Sequence, residues 1–235
     1  MRKTFNLDLV ELPKIKRVTV DGKRHYVRED GDVYMPYPSV TTVISSCKKT
    51  QAGLNAWKRR VGKKQAQKIS TQASTRGTSV HQLIEDYCQN KESEGTIMPN
   101  AFDMFTRLRD AADAHIDNIR VIEGLMYSDH LRTAGTVDMI AEFDGKLSVI
   151  DWKTSARRKT RSKVYNYFKQ EAAYAVMFEE MTGQPVTQLV TIITDQEGGS
   201  QIFVEHRDEW IGEFIALRDA YELELQGNAP SEESA

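Results

Sequence analysis

TAGTVDMIAEFDGKLSVIDWKTS, residues 133–155, is the stretch on which the fold of this chain turns. Two apolar runs flank Asp144-Gly145, the strongest short signal for a two-residue β-hairpin turn. With that turn Phe143 faces Lys146, and stepping along the ladder brings Asp138 directly opposite Asp151. Opposed residues share a face of the sheet, with Cβ atoms about 4.5–5.5 Å apart. Lys153 lies on that face too, two residues along its strand. Like charges in register destabilise a sheet, and the apolar neighbours Met139, Ile140, Val149 and Ile150 imply burial that raises the cost. A divalent cation bridging both carboxylates removes the conflict, because hard cations take oxygen ligands in such a setting. The competing arrangement is an exposed hairpin with its acids in water and Lys153 as a diagonal ion pair. Strands that read as buried on both faces argue against it, and a β-bulge would break the register.

Outward from the hairpin, VIEGLMY (121–127) reads as a strand and residues 100–120 as a helix, with Phe102, Phe105, Leu108, Ala112, Ile116 and Ile119 at helical spacing. RGTSVHQLIEDYCQN (76–90) repeats that spacing with Val80, Leu83, Ile84, Tyr87 and Cys88, behind Thr78 as N-cap. Downstream come a helix at about 163–182, the strand pair QLVTIITD and SQIFVEH around Gly198-Gly199, and a last helix to about 226. The order α, α, β, β, β, α, β, β, α predicts an α/β fold, a central mixed sheet flanked by helices. Before it lie a basic helical stretch at about 51–69 and a β-rich opening. There KRVTV and KRHYV flank Asp21-Gly22, and a turn at Glu29–Asp32 leads into VYMPYPSVTTVI. The expected organisation is an N-terminal β-rich elaboration (1–45), a main domain (46–226) and a disordered tail, GNAPSEESA (227–235).

At 235 residues the chain can bury a substantial core. No apolar run of about 18 residues is present, so no membrane span is expected. The N-terminus has no apolar signal core, and its acids argue against a transit peptide. Cys47 and Cys88 are too few for a four-cysteine zinc or iron–sulfur site and read as packing residues in a reducing compartment. The expected location is the cytoplasm of a bacterial or phage-infected cell.

The net charge of −2 hides a strong segregation. No acid occurs between Asp32 and Glu85, or between Asp151 and Glu171, yet those windows hold half of the 32 basic residues. The first includes Lys58, Arg59, Arg60, Lys63, Lys64, Lys68 and Arg76; the second includes Arg157, Arg158, Lys159 and Arg161. Such segregation predicts a basic groove for a polyanion on an otherwise acidic body.

GTVD at 135–138 followed by IDWKTS at 150–155 resembles the signature of the PD-(D/E)XK nuclease superfamily, with Asp138 as first acid and Asp151-Trp152-Lys153 as the (D/E)xK element. Three more pieces are similar to its RecB-like branch, which includes mitochondrial genome-maintenance and phage exonucleases. RGTSVH (76–81) resembles the helix-borne metal histidine, QEAAY (170–174) the QxxxY element, and YPSVTTVI (37–44) the serine/threonine-rich opening motif. The resemblance implies a restriction-endonuclease-like core and Mg²⁺ or Mn²⁺ held by His81, Asp138, Asp151 and the Trp152 carbonyl. It also implies that Lys153 acts in catalysis and that Gln170 and Tyr174 hold Lys153 or a phosphate in place. Glu85, four residues from His81, fits either a supporting acid or a surface charge. Ser39, Thr41, Lys63, Lys64, Arg76, Arg157 and Arg158 are the candidate DNA contacts, and Trp57 fits base stacking or core burial equally well. The reaction implied is phosphodiester hydrolysis by an exonuclease on single-stranded DNA or DNA ends, with a recombination or replication protein as partner. A structure-specific endonuclease and a catalytically silent DNA-binding subunit are the alternatives.

Overall fold

The computed structural model describes residues 2–20, 23–28, 37–93 and 97–227. In chain order these form β1 (Ile15–Val20), β2 (Lys23–Arg28), β3 (Tyr37–Pro38), α1 (Val40–Ser46), α2 (Lys48–Val61), α3 (Lys63–Cys88), α4 (Pro99–His115) and β4 (Ile116–Ser128). Then follow β5 (Thr133–Phe143), β6 (Lys146–Ser155), α5 (Tyr165–Thr182), β7 (Gln188–Asp195), β8 (Ser200–His206) and α6 (Arg207–Gly227).

Strands β4 to β8 build one mixed sheet in sequence order. Only β6 and β7 are parallel, and α5 makes the crossover between them. The central hairpin has the register its sequence predicts. Phe143 faces Lys146, and the ladder runs without a break to Met139 opposite Ile150. Asp144 (φ 51°) and Gly145 (φ 75°) both take left-handed backbone, which a type I′ turn demands.

Two apolar layers hold the sheet. On one face α1, α5 and α6 bury Val43, Phe168, Phe178 and Phe214 against Ile140, Val149, Leu189 and Ile193. On the other, α4 and the C-terminal half of α3 bury Ile84, Met104 and Leu108 against Met139, Ile150, Val190 and Ile192. The small sheet β1–β2–β3 packs Ile15, Tyr26 and Tyr37 on Ala134 at the far end of β5. Val20 pairs with Lys23 on either side of Asp21-Gly22, where a turn is expected. That turn, the one expected at Glu29–Asp32 and the tail beyond Gly227 lie outside the described residues.

Four expectations need correction. The helix at 100–120 stops at His115, and Ile116 and Ile119 belong to β4, where β-branched side chains pack as well as on a helix. Thr78 caps nothing, because α3 runs unbroken from Lys63; its polar first half carries no apolar stripe to announce a helix. The basic helix of 51–69 is two helices, broken at Gly62 (φ 83°). YPSVTTVI is mostly helical: Ser39 is the N-cap of α1 and its Oγ accepts from Thr42 N at 3.0 Å. The boundary expected near residue 45 therefore cuts through α1, whose Val40, Val43 and Ile44 pack in the main core.

Candidate active site

The paired ladder of the hairpin ends at Met139–Ile150, and Asp138 and Asp151 are the next residues on the two strands. Asp138 leaves the ladder, its carboxylate taking the Trp152 N–H, while Asp151 follows the face of Val149 toward α5. On the other side of β5, pairing runs from Ile122–Met139 to Gly124–Val137, so Glu123 falls opposite Asp138. Three acids thus stand in a row across three neighbouring strands. Glu123 takes left-handed backbone, φ 48°, after a register shift in β4, a conformation that costs energy for a side chain of its size. This residue was invisible in the sequence, since four residues separate β4 from β5 in place of a two-residue turn. No register could be carried across that gap.

The opposite layer supplies His81. Its neighbours Val80, Leu83 and Ile84 fix α3 in the core, and His81 Nδ1 lies 3.6 Å from Asp138 Oδ2. One ligand atom each from His81, Glu123 and Asp138 lie within 4.8 Å of one another, a spacing that suits a shared cation. Asp138 Oδ2 also accepts from Trp152 N at 3.0 Å. A strand residue sends its N–H and C=O toward the same neighbour, so the Trp152 carbonyl also faces the Asp138 side.

Asp151 is 2% exposed and forms a short ion pair with Lys153. Among the described residues neither of its carboxylate oxygens has a partner apart from Lys153. Burial pushes its carboxyl above the usual carboxylate range; Lys153 opposes the shift and Asp138 adds to it. Burial pulls the Lys153 ammonium down, but Asp151 and Asp138 outweigh it, and the group stays charged. Glu123 is exposed as a whole residue, yet its carboxyl is pushed up to about 8 by desolvation in the cleft and then by Asp138, Glu85 and Asp151. Glu171, beneath the row on α5, is fully buried and receives Thr191 Oγ1 on Oε1, while Oε2 has no partner. Burial, then the charge of Asp151, holds its carboxyl well above the ordinary value. Crowded acids with unpartnered oxygens and one imidazole form a donor set that fits a divalent cation.

The site opens into a cleft of about 520 Å³ whose walls include Arg17, Ser39, Thr41, His81, Glu85, Glu123, Asp138, Gln170 and Tyr174. Tyr174 is buried, hydrogen-bonded with Gln170, and lies against Gly135 so closely that a Cβ there would meet its ring at 2.8 Å. That contact explains the glycine of GTVD. Glu85 accepts from Gln89 Nε2, and burial raises its carboxyl. A larger cavity of about 750 Å³, lined from α3 by Leu83 and Tyr87, contains none of these residues and has no part in the chemistry.

The expected DNA contacts divide. Ser39 is buried and bonded to Thr42, so its hydroxyl is committed to the cap, whereas Thr41 is exposed in the cleft wall. Lys63 and Lys64 are exposed at the start of α3. Arg76 is 8% exposed, and the Gln196 amide, turned so that its oxygen faces the guanidinium, accepts from it at 3.1 and 3.3 Å. It is thus a packing residue in this structure and not an open phosphate contact. Arg157 and Arg158 are exposed, with Arg157 Nε 3.6 Å from Glu197. Trp57 is half-buried.

Comparison with known proteins bears on this arrangement. Over 134 residues, 52% of this chain, it is 27% identical to human (Homo sapiens) mitochondrial genome maintenance exonuclease 1. The match spans 38% of that protein's length. A solved structure from Eubacterium rectale, itself a candidate exonuclease, superposes with a TM-score of 0.46 at 11% identity over 66% of each chain. The sequence profile of one family matches residues 101–229, which include the acids of the row and Lys153. With that match over more than half its length, the chain belongs to the PD-(D/E)XK nuclease superfamily.

Proposed function

We propose that this protein is a metal-dependent DNA exonuclease that hydrolyses phosphodiester bonds on single strands or at DNA ends. The observation that carries the proposal is the meeting of His81, Glu123 and Asp138 within 4.8 Å, beside a buried Asp151 whose oxygens, among the described residues, only Lys153 engages. A cation bound there supplies Lewis-acid polarisation of a phosphate and a water of lowered pKa. His81, Glu123, Asp138, Asp151 and the Trp152 carbonyl are the groups that would hold it. Lys153 stays protonated beside the acids, where it offsets charge developing on the phosphate or orients the attacking water. Gln170 and Tyr174 close the cleft behind the row.

An imidazole ligand suits Mn²⁺ better than Mg²⁺, which prefers an all-oxygen shell, so Mn²⁺ should match or exceed Mg²⁺ in activity. DNA reaches the site along α2 and the first half of α3. Lys58, Arg59, Arg60, Lys63, Lys64 and Lys68 are exposed there and form no ion pair among the described residues. Lys64 and His81 share one helix, about 25 Å apart at 1.5 Å per residue. By analogy with the human mitochondrial genome maintenance exonuclease, this chain's partner is a replication or recombination protein.

Labelled linear and circular single-stranded DNA, each with Mn²⁺ and with EDTA, test the proposal. Metal-dependent loss of the linear substrate with the circle intact is expected. Cutting of the circle would show an endonuclease, and no metal-dependent loss of either substrate would overturn the proposal.

A further inference from the structure

Tyr167, Gln170, Glu171 and Tyr174 lie on α5 at spacings of three, four and seven residues, on one face of the helix turned toward the acids. Gln170 and Tyr174 bond to each other, and Glu171 engages Thr191. Tyr167 is placed differently: the Lys153 ammonium lies over its ring, 5.1 Å from the centroid. We infer that Tyr167 is a positioning residue, whose ring face holds the Lys153 ammonium in its working orientation. The inference rests on the reading of Lys153 as a catalytic group.

Lys153 leans on two groups, the Asp151 carboxylate and the Tyr167 ring. Its ion pair is with Asp151, which the proposed chemistry also requires as a cation ligand. A carboxylate that gives its lone pairs to a cation attracts an ammonium less, and a lysine stem is flexible enough to swing away. An aromatic ring attracts an ammonium through its quadrupole, which needs no negative charge and is not consumed by a metal. The ring is half-buried on a helix packed in the core, so it stays in place while the charges around it change.

The test uses Tyr167→Phe, which keeps the ring, and Tyr167→Leu, which keeps apolar bulk without one. Turnover of single-stranded DNA with Mn²⁺ should stay within about threefold of wild type for Phe. For Leu it should fall about thirtyfold in kcat, about 2 kcal/mol at 1.36 kcal/mol per tenfold, with KM unchanged. A second readout needs no metal. In NMR spectra of the metal-free protein, the Lys153 ε-methylene signal, assigned by its loss in Lys153→Arg, should lie upfield from ring current in wild type and Phe. In Leu it should return to the position of a solvated lysine. An unshifted signal in wild type overturns the inference even if Leu fails to fold. So does wild-type turnover in Tyr167→Leu alongside an inactive Lys153→Ala, or equal damage from Phe and Leu. Wild-type turnover in Lys153→Ala would instead remove the catalytic reading of Lys153 itself.

Discussion

Residues 48–76 and 157–169 are alike on paper, each a run of bases with no acid, and they end in opposite states. In the second, the fold brings acids from elsewhere to meet the bases. Glu205 on β8 takes Arg161 in a two-pronged pair, Glu213 on α6 lies 2.8 Å from Lys169, and Glu197 in the β7–β8 turn faces Arg157. Arg161 is further stacked over Tyr165, Phe168 and Trp210, so it holds α5, β8 and α6 together. In the first, Lys48 reaches Glu224, but the six bases from Lys58 to Lys68 project from α2 and the first turns of α3, where Ala66 is the one buried residue among those described. Charge left without a partner after folding, not charge in the sequence, marks where a ligand goes. The acid row obeys the same rule with opposite sign, since Glu123, Asp138 and Asp151 face one another with a single lysine among them.

The difference can be broken by charge reversal, with binding to a fluorescent single strand followed against salt in Ca²⁺. Lys63→Glu with Lys64→Glu should give the largest loss, and should flatten the log–log salt slope by about 1.4 if two phosphate contacts go. Arg157→Glu with Arg158→Glu should flatten it less, by about 0.7, since the exposed Arg157 faces Glu197 while Arg158 has no ion pair among the described residues. Arg161→Ala should leave the slope unchanged and lower the melting temperature, because the lost contacts are internal. Equal flattening by all three would mean that total charge, and not the arm, governs binding.

A smaller effect sharpens the acid side of the comparison. Glu123 ordinarily titrates near 4.5 and is raised to about 8 in the fold, so the folded state holds its proton more tightly than the unfolded one. The stabilisation this gives is complete below about pH 4.5 and disappears as pH rises to about 8. Asp151 and Glu171 are shifted in the same direction. Metal-free protein should therefore have a lower urea midpoint at pH 8 than at pH 5, and Glu123→Gln should shrink the gap. A midpoint that rises toward pH 8 would refute the crowding of these acids.

The sequence revealed most where local rules decide the geometry. Asp144-Gly145 dictates its own turn, and the turn fixes every pair back to Met139 and Ile150, which carries Asp138, one residue on, into the neighbourhood of Asp151 and Lys153. The order of helices and strands after residue 76 was legible for the same reason, since periodicity is local. Glu123 was not legible, because its position depends on a register shift and a four-residue connection. Nor was the neutralisation of Arg161 and Lys169, whose partners lie some 44 residues away in sequence. Arg76 and Ser39 illustrate a further limit: residue type suggested phosphate contacts, and burial assigned both to internal bonds.

The most direct test is turnover of end-labelled single-stranded DNA by wild type, Asp138→Asn and Asp151→Asn, with Mn²⁺ and with EDTA. Removing Asp138 relieves repulsion, so Asp138→Asn should melt no lower than wild type in metal-free buffer; Asp151→Asn also strips Lys153 of its ion pair, so its fold is checked by circular dichroism before assay. Wild type is expected to cut only with metal, and neither variant should cut at all. Wild-type turnover by either folded variant, or equal cutting in EDTA, would contradict a metal-dependent hydrolysis carried by this acid row.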